Sequence, residues 1–402
     1  MAEKARSPQK LTELPYLDVT TPGFSTRSDA VLQARAESWC AHTPFGIAVL
    51  RHAQAGQLLR DRRLRQGSYD WPRKVGLKGA FADFWMRSII SLEGAAHKRQ
   101  RRIAQAALAE ADILALCPDF TQIATDLTAK LPAHFDFVEQ FSEPFAGLAI
   151  ARLLGLPDAD AHSLGRDAST LGLAMGVNAK QHEAAANDAT DRLICLASDL
   201  LNERRSDVRP GSFVDRLKLS ATEQGLTDAQ ALLDLIVISI FGGVDTTRAQ
   251  LAFAVALFIE APEKWAWLRE NRDAIPAAIE DVIRHHPTTT WSSRETLETI
   301  QVEGLSIPAG TTMLFLVHAT ATDPDVGYSG GFDPAAHRKS HFGFGGGAHH
   351  CLGHFVARTD MACALGVLLD RWTSIEWAGS PEMLPDSGNT SPRKLPIRPL
   401  RA

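Results

Sequence analysis

The chain has 402 residues, of which 45% are hydrophobic and 22% charged, and its 42 Lys and Arg against 47 Asp and Glu give a formal net charge of −5. These proportions are typical of a globular protein with a sizeable core, and they exclude a disordered or fibrous chain. A net negative chain has no general attraction for nucleic acid, so we expect no nucleic-acid partner.

Targeting signals and disulfide patterns are also missing from the sequence. Residues 1–25, which we interpret as an N-terminal extension, are interrupted by prolines and contain no apolar run of signal-peptide length. The scattered cysteines form no CxxC pair, which favours a reducing cytoplasm. Residues 231–258 are strongly apolar but include Asp234, Asp245 and Arg248, so they predict a buried helix and no membrane span. We expect a cytoplasmic monomer.

Most of the chain carries apolar residues at three- and four-residue spacing, which predicts helices. In chain order these are residues 29–41, 54–60, 95–108, 141–154 and 183–204. Short β-rich segments at residues 46–50, 300–307 and 312–317 predict a small flanking β region. Because no repeat or long linker divides the sequence, we expect a single domain over residues 1–402, mostly α with a small β-rich flank.

The longest predicted helix covers residues 227–259. Thr227 and Gln230 have the spacing of a capping box, and Pro262 follows the helix. Its centre reads Gly242-Gly243-Val244-Asp245-Thr246. Two glycines inside a helix cost about 1 kcal/mol each relative to Ala, and an acid beside a hydroxyl is unfavourable in a dry core. The segment therefore indicates a function that offsets this cost.

A glycine-rich loop with one cysteine is the other informative segment. Residues 341–353 precede an apolar-periodic helix, and residues 341–372 together form a loop and helix with Cys351 at the junction. A cysteine at a helix N-terminus is favoured as a thiolate, the form that binds metals. The alternatives are a buried structural cysteine, a phosphate loop that lacks the GxxxxGK pattern, and a zinc site with His349 and His350, although adjacent residues splay apart.

The loop sequence Phe344-Gly345-Gly346-Gly347-Ala348-His349-His350-Cys351-Leu352-Gly353 resembles the FGxGxHxCxG signature of the cytochrome P450 monooxygenases. The 242–246 segment is similar to that family's [AG]GxDT motif. The resemblance implies the cytochrome P450 fold, a triangular prism around a buried haem b (iron protoporphyrin IX). It implies Cys351 as the thiolate ligand of the haem iron, with Phe344, Gly345 and Gly353 as binding residues of the signature.

The resemblance also implies roles for residues elsewhere in the chain. Gly242 and Gly243 would leave a groove for O2, while Asp245 and Thr246 would be the catalytic acid–alcohol pair that delivers protons. Charge-assisted contacts to the two haem propionates would come from four basic residues: His97, Arg101, Arg294 and His349.

The sequence departs from the family at one structural motif. The ExxR pair of the family appears as Asp281 and Arg284, preceded by Glu280, and the arginine that usually completes this triad aligns with Gly331. An aspartate is one methylene shorter than a glutamate, so Arg284 either pairs less well or turns to Glu280. We expect a nearby side chain or carbonyl to replace the missing contacts.

The implied reaction is insertion of one oxygen atom from O2 into a C–H bond of a medium-sized apolar small molecule. Since the chain has no room for a flavin domain and lacks the cysteines for an iron–sulfur cluster, we expect a separate acidic ferredoxin or flavodoxin as electron donor. Substrate contacts are expected from Trp71, Phe84, Trp85 and Thr289. The alternatives are a haem-thiolate enzyme that uses peroxide or catalyses a rearrangement, and a non-catalytic haem protein that binds or senses ligands.

Overall fold

A computed structural model describes residues 11–175, 178–328, 330–336, 338–386 and 388–401. Of the predicted N-terminal extension, residues 1–10 lie outside the described residues. The remainder, residues 11–25, packs on the protein: Leu14, Leu17 and Val19 are buried, and Tyr16 forms a β-bridge with His42. This part of the segment is therefore integral to the fold, because its apolar side chains find a place against the first strands.

The structure is mostly helical, as the periodicity predicts. The α-helices are α1 Asp29–Glu37, α2 His52–Leu58, α3 Trp71–Lys74, α4 Ala80–Arg87, α5 Gly94–Ala107, α6 Glu110–Leu114, α7 Cys117–Lys130, α8 Glu143–Leu154, α9 Ala161–Leu173, α10 Glu183–Leu201, α11 Phe213–Glu223, α12 Ala229–Glu260, α13 Pro262–Glu270, α14 Ile275–His285, α15 Val317–Ala321 and α16 His354–Arg371.

The strands form a small β region at one side of the helices. They are β1 Cys40–Thr43, β2 Gly46–Val49, β3 Leu64–Gln66, β4 Phe135–Asp136, β5 Trp291–Thr296, β6 Ile300–Val302, β7 Leu305–Ile307, β8 Thr312–Leu316, β9 Trp372–Trp377, β10 Glu382–Met383, β11 Pro392–Lys394 and β12 Pro396–Arg401. The main sheet has the order β1-β2-β8-β5-β3, with β2 and β8 parallel and its other pairs antiparallel. The remaining sheets are β4-β12-β9, β10-β11 and the hairpin β6-β7.

Helix α12 is the central element of the structure, and α8, α9, α10 and α16 pack around it. By length and hydropathy it is the one helix among the described residues that meets the criteria for a membrane span, but most of its residues are buried by these neighbours. Its apolar surface is therefore the core of the fold. The helix begins at Ala229, and Asp228 caps it by accepting hydrogen bonds from the Gln230 and Ala231 N–H groups. The predicted capping box of Thr227 and Gln230 is therefore wrong, because the adjacent carboxylate takes the capping position.

The structure also corrects the helix predicted for residues 29–41. Helix α1 ends at Glu37, and Cys40 and Ala41 belong to β1, paired with Val49 and Ala48 of β2. Both residues are fully buried in the sheet. Alanine and cysteine fit a helix or a strand equally well by local pattern, so the pairing partner decides which one forms.

Candidate functional site

Cys351 lies in a tight loop just before α16. Its N–H donates to Phe344 O at 2.8 Å, and the Gly345 N–H donates to Phe342 O at 2.8 Å. Gly345 and Gly347 adopt left-handed backbone conformations, with φ of +68° and +66°. A Cβ on Gly347 would lie 2.0 Å from Leu59 O, the carbonyl that follows α2. Glycine is therefore required there, both for the turn and for the close approach of two backbone segments.

Cys351 is half-buried, and the space beside the loop is open at Gly353, where a Cβ would meet no atom within 4 Å. Burial raises the pKa of the Cys351 thiol, against the opposing effects of the Gly353 N–H and of the Arg101 and Arg358 charges. The expected helix-terminus effect is therefore present, but desolvation has the larger influence on this pKa.

Helix α12 presents an open face at its centre. Gly242 is exposed and Thr246 is half-buried, one helical turn apart, while most residues around them are buried. A Cβ on Gly242 would meet no atom within 4 Å, and Thr246 Oγ1 donates to Gly242 O at 2.6 Å. On another side of the helix, Thr247 Oγ1 donates to Asp360 Oδ2 at 3.1 Å and ties α12 to α16, the helix that follows Cys351. The glycine face and the cysteine loop thus belong to adjoining elements.

Asp245 points away from this face toward α9. Its carboxylate pairs with Arg248 Nη2 at 2.8 Å, both side chains are buried, and Arg248 Nη2 also donates to Ser391 Oγ at 3.2 Å. A Cβ on Gly172 would lie 2.7 Å from Asp245 Oδ2, so α9 can approach the acid only with a glycine there. A cavity of about 20 Å³, enough for one water, lies beside the pair. Ser169 Oγ and Arg248 Nε, which line it, have no hydrogen-bond partner among the described residues.

The four predicted propionate ligands converge on the cysteine loop. The rings of His97 and His349 stack with centroids 4.2 Å apart. Arg101 Nη2 donates to His350 O at 2.7 Å, and Arg294 Nη2 donates to Gly346 O at 3.1 Å. These residues come from α5, β5 and the loop itself, so only the tertiary structure brings them together.

The electrostatics of this group indicate an anionic ligand. Burial lowers the pKa of Arg294 to about 10, and burial with the neighbouring His349 and Arg101 charges lowers that of His97 to about 4. Among the described residues neither Arg101 nor Arg294 has a carboxylate within ion-pair distance; Glu93, 3.1 Å from His349 Nε2, is the one acid in the group. Buried cations without a counter-charge are unfavourable, and the two propionates of a haem would supply it. The residues present therefore fit a haem.

The charged residues of α14 keep the expected pair. Arg284 Nε donates to Asp281 Oδ1 at 3.2 Å, and both side chains are buried. Glu280 does not take Arg284 but pairs with Arg358 of α16 at 2.7 Å and lies 3.2 Å from His341 Nε2. Burial alone would raise the pKa of Glu280, but His341 and Arg358 outweigh it and lower the pKa to about 2. No local pattern in the sequence indicates that Glu280 pairs with Arg358 of α16.

The predicted substrate residues separate into two groups. Phe84 has no accessible surface, and Trp85 is 2% exposed and donates from Nε1 to Ser68 O at 2.9 Å. Both pack in the core of this structure, and contact of either residue with a substrate stays a prediction. Trp71 is half-buried beside Trp85, and Thr289 is half-buried with its Oγ1 donating to Asn389 Oδ1 at 3.3 Å. Thr289 thereby contacts a residue that lines the cavity beside Asp245.

The zinc alternative has no geometric support. His349 stacks on His97, whereas His350 packs against His354 with ring centroids 4.9 Å apart, so the two histidines diverge. Within the part of the chain that the structure describes, no group of three His, Cys, Asp or Glu residues could hold a metal ion. A metal bound at Cys351 would therefore have one ligand from the described residues, which suits a metal held by a prosthetic group.

Sequence and structure comparisons give a consistent result. The family model described as Cytochrome P450 matches residues 174–388. The luteothin monooxygenase of Streptomyces thioluteus is 33% identical over 99% of this chain and 99% of its own length, and the nocardicin C N-oxygenase of Nocardia uniformis subsp. tsuyamanensis is 28% identical over 94% of each. The solved structure of epothilone B-bound cytochrome P450epoK superposes with a TM-score of 0.85 at 19% identity, covering 95% of this chain and 99% of that one.

Proposed function

Because the chain belongs to the cytochrome P450 family of haem-thiolate monooxygenases, we propose that Cys351 is its haem ligand and that the substrate is a medium-sized apolar molecule oxidised at a C–H bond. The observation that carries the assignment of the site is the pair of arginines at the Cys351 loop, half-buried Arg101 and buried Arg294, neither of which has a carboxylate partner among the described residues. His97, Arg101, Arg294 and His349 would hold the propionates, and the glycines of the loop let its backbone approach closely.

The haem, when bound, would supply the activation of O2, from which the transferred oxygen atom comes. The protein contributes space and protons. Gly242 leaves the central face of α12 open for O2, and the Thr246 hydroxyl lies on that face, where it can pass on a proton. In this structure the hydroxyl donates its hydrogen bond to Gly242 O, and proton delivery would require it to donate to a group bound on the open face instead. This is general acid–base chemistry by a positioned side chain.

Asp245 is placed to resupply that proton from the other side of the helix. Its carboxylate is held by Arg248 beside the water-sized cavity, and a change of side-chain rotamer would exchange the Arg248 contact for the Thr246 side. Arg248 was missed in the sequence, although its position three residues after Asp245 is the spacing of a helical ion pair.

Electron delivery is proposed to occur at the exposed face of α5. Lys98, Arg99 and Arg102 are exposed there, on the helix whose Arg101 contacts the loop before Cys351. The basic residues Arg63 and Arg65 are less suitable for this contact, because Asp61 pairs with Arg63 and Glu295 pairs with Arg65. The α5 face would attract an acidic ferredoxin or flavodoxin, and the rate of haem reduction should then fall as ionic strength rises. A triple Lys98→Gln, Arg99→Gln, Arg102→Gln variant should lose that salt dependence, whereas Arg398→Gln, far along the chain at an exposed pair with Glu376, should keep it.

For the substrate, Trp71, Phe84, Trp85 and Thr289 remain the proposed contacts, of which Trp71 and Thr289 are half-buried. Relatives of this chain are named for luteothin, nocardicin C and vitamin D3. These compounds make a first panel for a screen that follows the change in iron spin state when a ligand enters the site. Trp71→Ala should weaken the response to a compound that binds, without changing haem content.

The competing functions predict different behaviour. A peroxide-using or rearranging enzyme would have no need for the Asp245 and Thr246 pair, and a non-catalytic haem protein would have no need for electron input. The acid and the hydroxyl on one turn of α12 favour the monooxygenase.

The decisive experiment is the absorption spectrum of the reduced, carbon monoxide-bound protein, which distinguishes thiolate from other ligation. We expect the thiolate band in the wild-type protein and its loss in Cys351→Ser, while Cys195→Ser, at an exposed cysteine, leaves it unchanged. An unaltered band in Cys351→Ser would overturn the assignment. Product formation with peroxide alone, at the rate seen with a ferredoxin system, would favour the peroxide-using alternative. We further propose that the chain acts as one domain, as a monomer in the cytoplasm.

A further inference from the structure

Asp281 of α14 lies in a buried group of charges that extends beyond Arg284. Its side chain is 5% exposed. Oδ2 accepts the Asp333 N–H at 2.7 Å, and Oδ1 lies 3.2 Å from Arg284 Nε and 3.1 Å from Arg338 Nε. A buried carboxylate requires both counter-charge and hydrogen bonds to be stable, and here these come from α14 and from the segment that leads into the cysteine loop.

Arg338 is held in this position by three contacts. Its side chain is 10% exposed, Nη2 donates to Gly331 O at 3.0 Å, and the guanidinium carbon lies 4.4 Å from the centre of the Tyr328 ring. The contact with Asp281 is an ion pair and not a directed hydrogen bond, since Arg338 Nε makes no hydrogen bond by geometry. Arg338 is therefore packed between Asp281 and the Tyr328 ring.

A second cation beside Asp281 adds counter-charge to its carboxylate, because the Arg284 guanidinium divides its hydrogen bonds between Asp281 and two backbone carbonyls. Arg284 donates Nη1 to Ala321 O at 3.0 Å and Nη2 to Lys339 O at 2.7 Å, which leaves Nε for the carboxylate. His285, 3.9 Å from Asp281, adds no charge at neutral pH, since burial lowers its pKa. Among the described residues, Arg338 is thus the remaining positive group in contact with Asp281.

The same contacts fix the start of the loop that carries Cys351. Arg338 and the Lys339 carbonyl are tied to Asp281 and Arg284, and His341 Nε2 lies 3.2 Å from Glu280 Oε2. A Cβ on Gly343 would lie 2.4 Å from Ile283 Cγ2, so the loop backbone rests directly on α14. From residue 338 to residue 343 the chain follows one face of this helix, immediately before Phe344 O accepts the Cys351 N–H.

We propose that Arg338 is a positioning residue that clamps the cysteine loop to α14 through Asp281, and that it replaces the arginine expected at Gly331. The inference rests on the proposed haem-binding function of the loop. Gly331 itself has room for a side chain: a Cβ there would meet no atom within 4 Å, and its backbone is not left-handed. The cation that contacts this carboxylate therefore lies seven residues later in the chain than the family motif predicts. The carboxylate keeps its position on α14, where Asp281 takes the place of the motif's glutamate.

The test uses purified holoprotein and measures haem release to an excess of an apo-haem acceptor protein, together with the share of thiolate-type signal in the reduced carbon monoxide spectrum. Removing one member of a buried charge cluster is strongly destabilising, so Arg338→Gln should release haem about tenfold faster and lower the thiolate share. Arg338→Lys should be intermediate, and Arg398→Gln, at an exposed ion pair, serves as the matched control. Adding Gly331→Arg to Arg338→Gln should restore slow release and the thiolate signal.

Wild-type release and an unchanged spectrum in Arg338→Gln would overturn the proposal. If Arg338→Gln cannot be purified, recovery of folded holoprotein from the Gly331→Arg, Arg338→Gln double variant supports it, and failure to recover that variant overturns it. A thiolate-type signal in the wild-type protein establishes the proposed function independently, so the two ideas can fail separately.

Discussion

The adjacent glycines at the centre of α12 provide a matched pair of substitutions with opposite expected effects. Alanine at either position gains about 1 kcal/mol of helix propensity. At Gly242 a Cβ meets no atom within 4 Å, so Gly242→Ala should stabilise the holoprotein by about that amount while filling the proposed O2 groove. At Gly243 the Cβ would lie 2.2 Å from Ile150 Cδ1 and 3.0 Å from Cγ1.

The clash between a Cβ at Gly243 and the Ile150 side chain determines how much stability Gly243→Ala loses. Inserting a methyl group into a packed core costs about 1–3 kcal/mol, so after the propensity gain Gly243→Ala should lower the free energy of unfolding by about 0–2 kcal/mol. Ile150→Val removes Cδ1 and costs about 0.5–1.5 kcal/mol alone. In the Gly243→Ala background it relieves the clash, so the double-mutant cycle should show a coupling of about 1 kcal/mol or more.

The assay is denaturant unfolding of five holoproteins, namely wild type, the three single variants and the Ile150→Val, Gly243→Ala double variant, with O2 affinity and coupling of electron use to product formation measured beside it. Gly242→Ala should retain or gain stability and lose catalytic efficiency, whereas Gly243→Ala should lose stability that Ile150→Val recovers. A zero coupling energy between residues 150 and 243, or equal losses of stability in the two glycine variants, would refute the reasoning, because either result means that the two glycines are not distinguished by packing.

Three further predictions follow from the site. Thr246→Ala should divert electrons from product to hydrogen peroxide, whereas Thr246→Ser should not; equal peroxide yields in the two variants would remove the hydroxyl from proton delivery. Asp245→Asn should lower turnover by about 10²-fold, the effect expected when a proton-transfer group is removed. It should also raise the solvent deuterium isotope effect, and an unchanged isotope effect would contradict a role of Asp245 in proton delivery. The pKa of Glu280 is lowered from 4.5 to about 2, so its ion pairs stabilise the fold above about pH 5 and lose this effect as the pH falls toward 2. The free energy of unfolding of the wild type should exceed that of Glu280→Gln by about 1–2 kcal/mol at pH 6, after allowance for solvent screening of this partly exposed group. The difference should vanish near pH 2, and a constant difference across this range would contradict a stabilising role for the Glu280 ion pairs.

Helix α14 illustrates how a motif can be identified while its partners are not. The family resemblance implied that Arg284 pairs either with Asp281 or with Glu280, and the pair with Asp281 is present in the structure. The positions of Arg338 and of Arg358, which pairs with Glu280, had no local signal, because each comes from a distant part of the chain. Local spacing constrains contacts within a helix but not the approach of another segment.

Phe84 and Trp85 show why residue type alone does not identify a pocket. Both are expected to contact substrate, and both pack in the core against α10 and α12, where substrate contact stays a prediction. Large aromatic side chains serve a core and a pocket equally well, and composition does not distinguish which side of α4 faces inward.

The elements whose cause is local could be predicted from the residues alone: the long apolar helix α12, the glycine turn before Cys351 and the helix that follows it. Each depends on backbone conformation or on periodicity within a few turns, which are properties of neighbouring residues. The contacts between distant segments required the folded structure. His97 meets His349, Arg294 reaches the cysteine loop and Arg338 contacts Asp281 because packing brings these segments together, and because buried charges require partners.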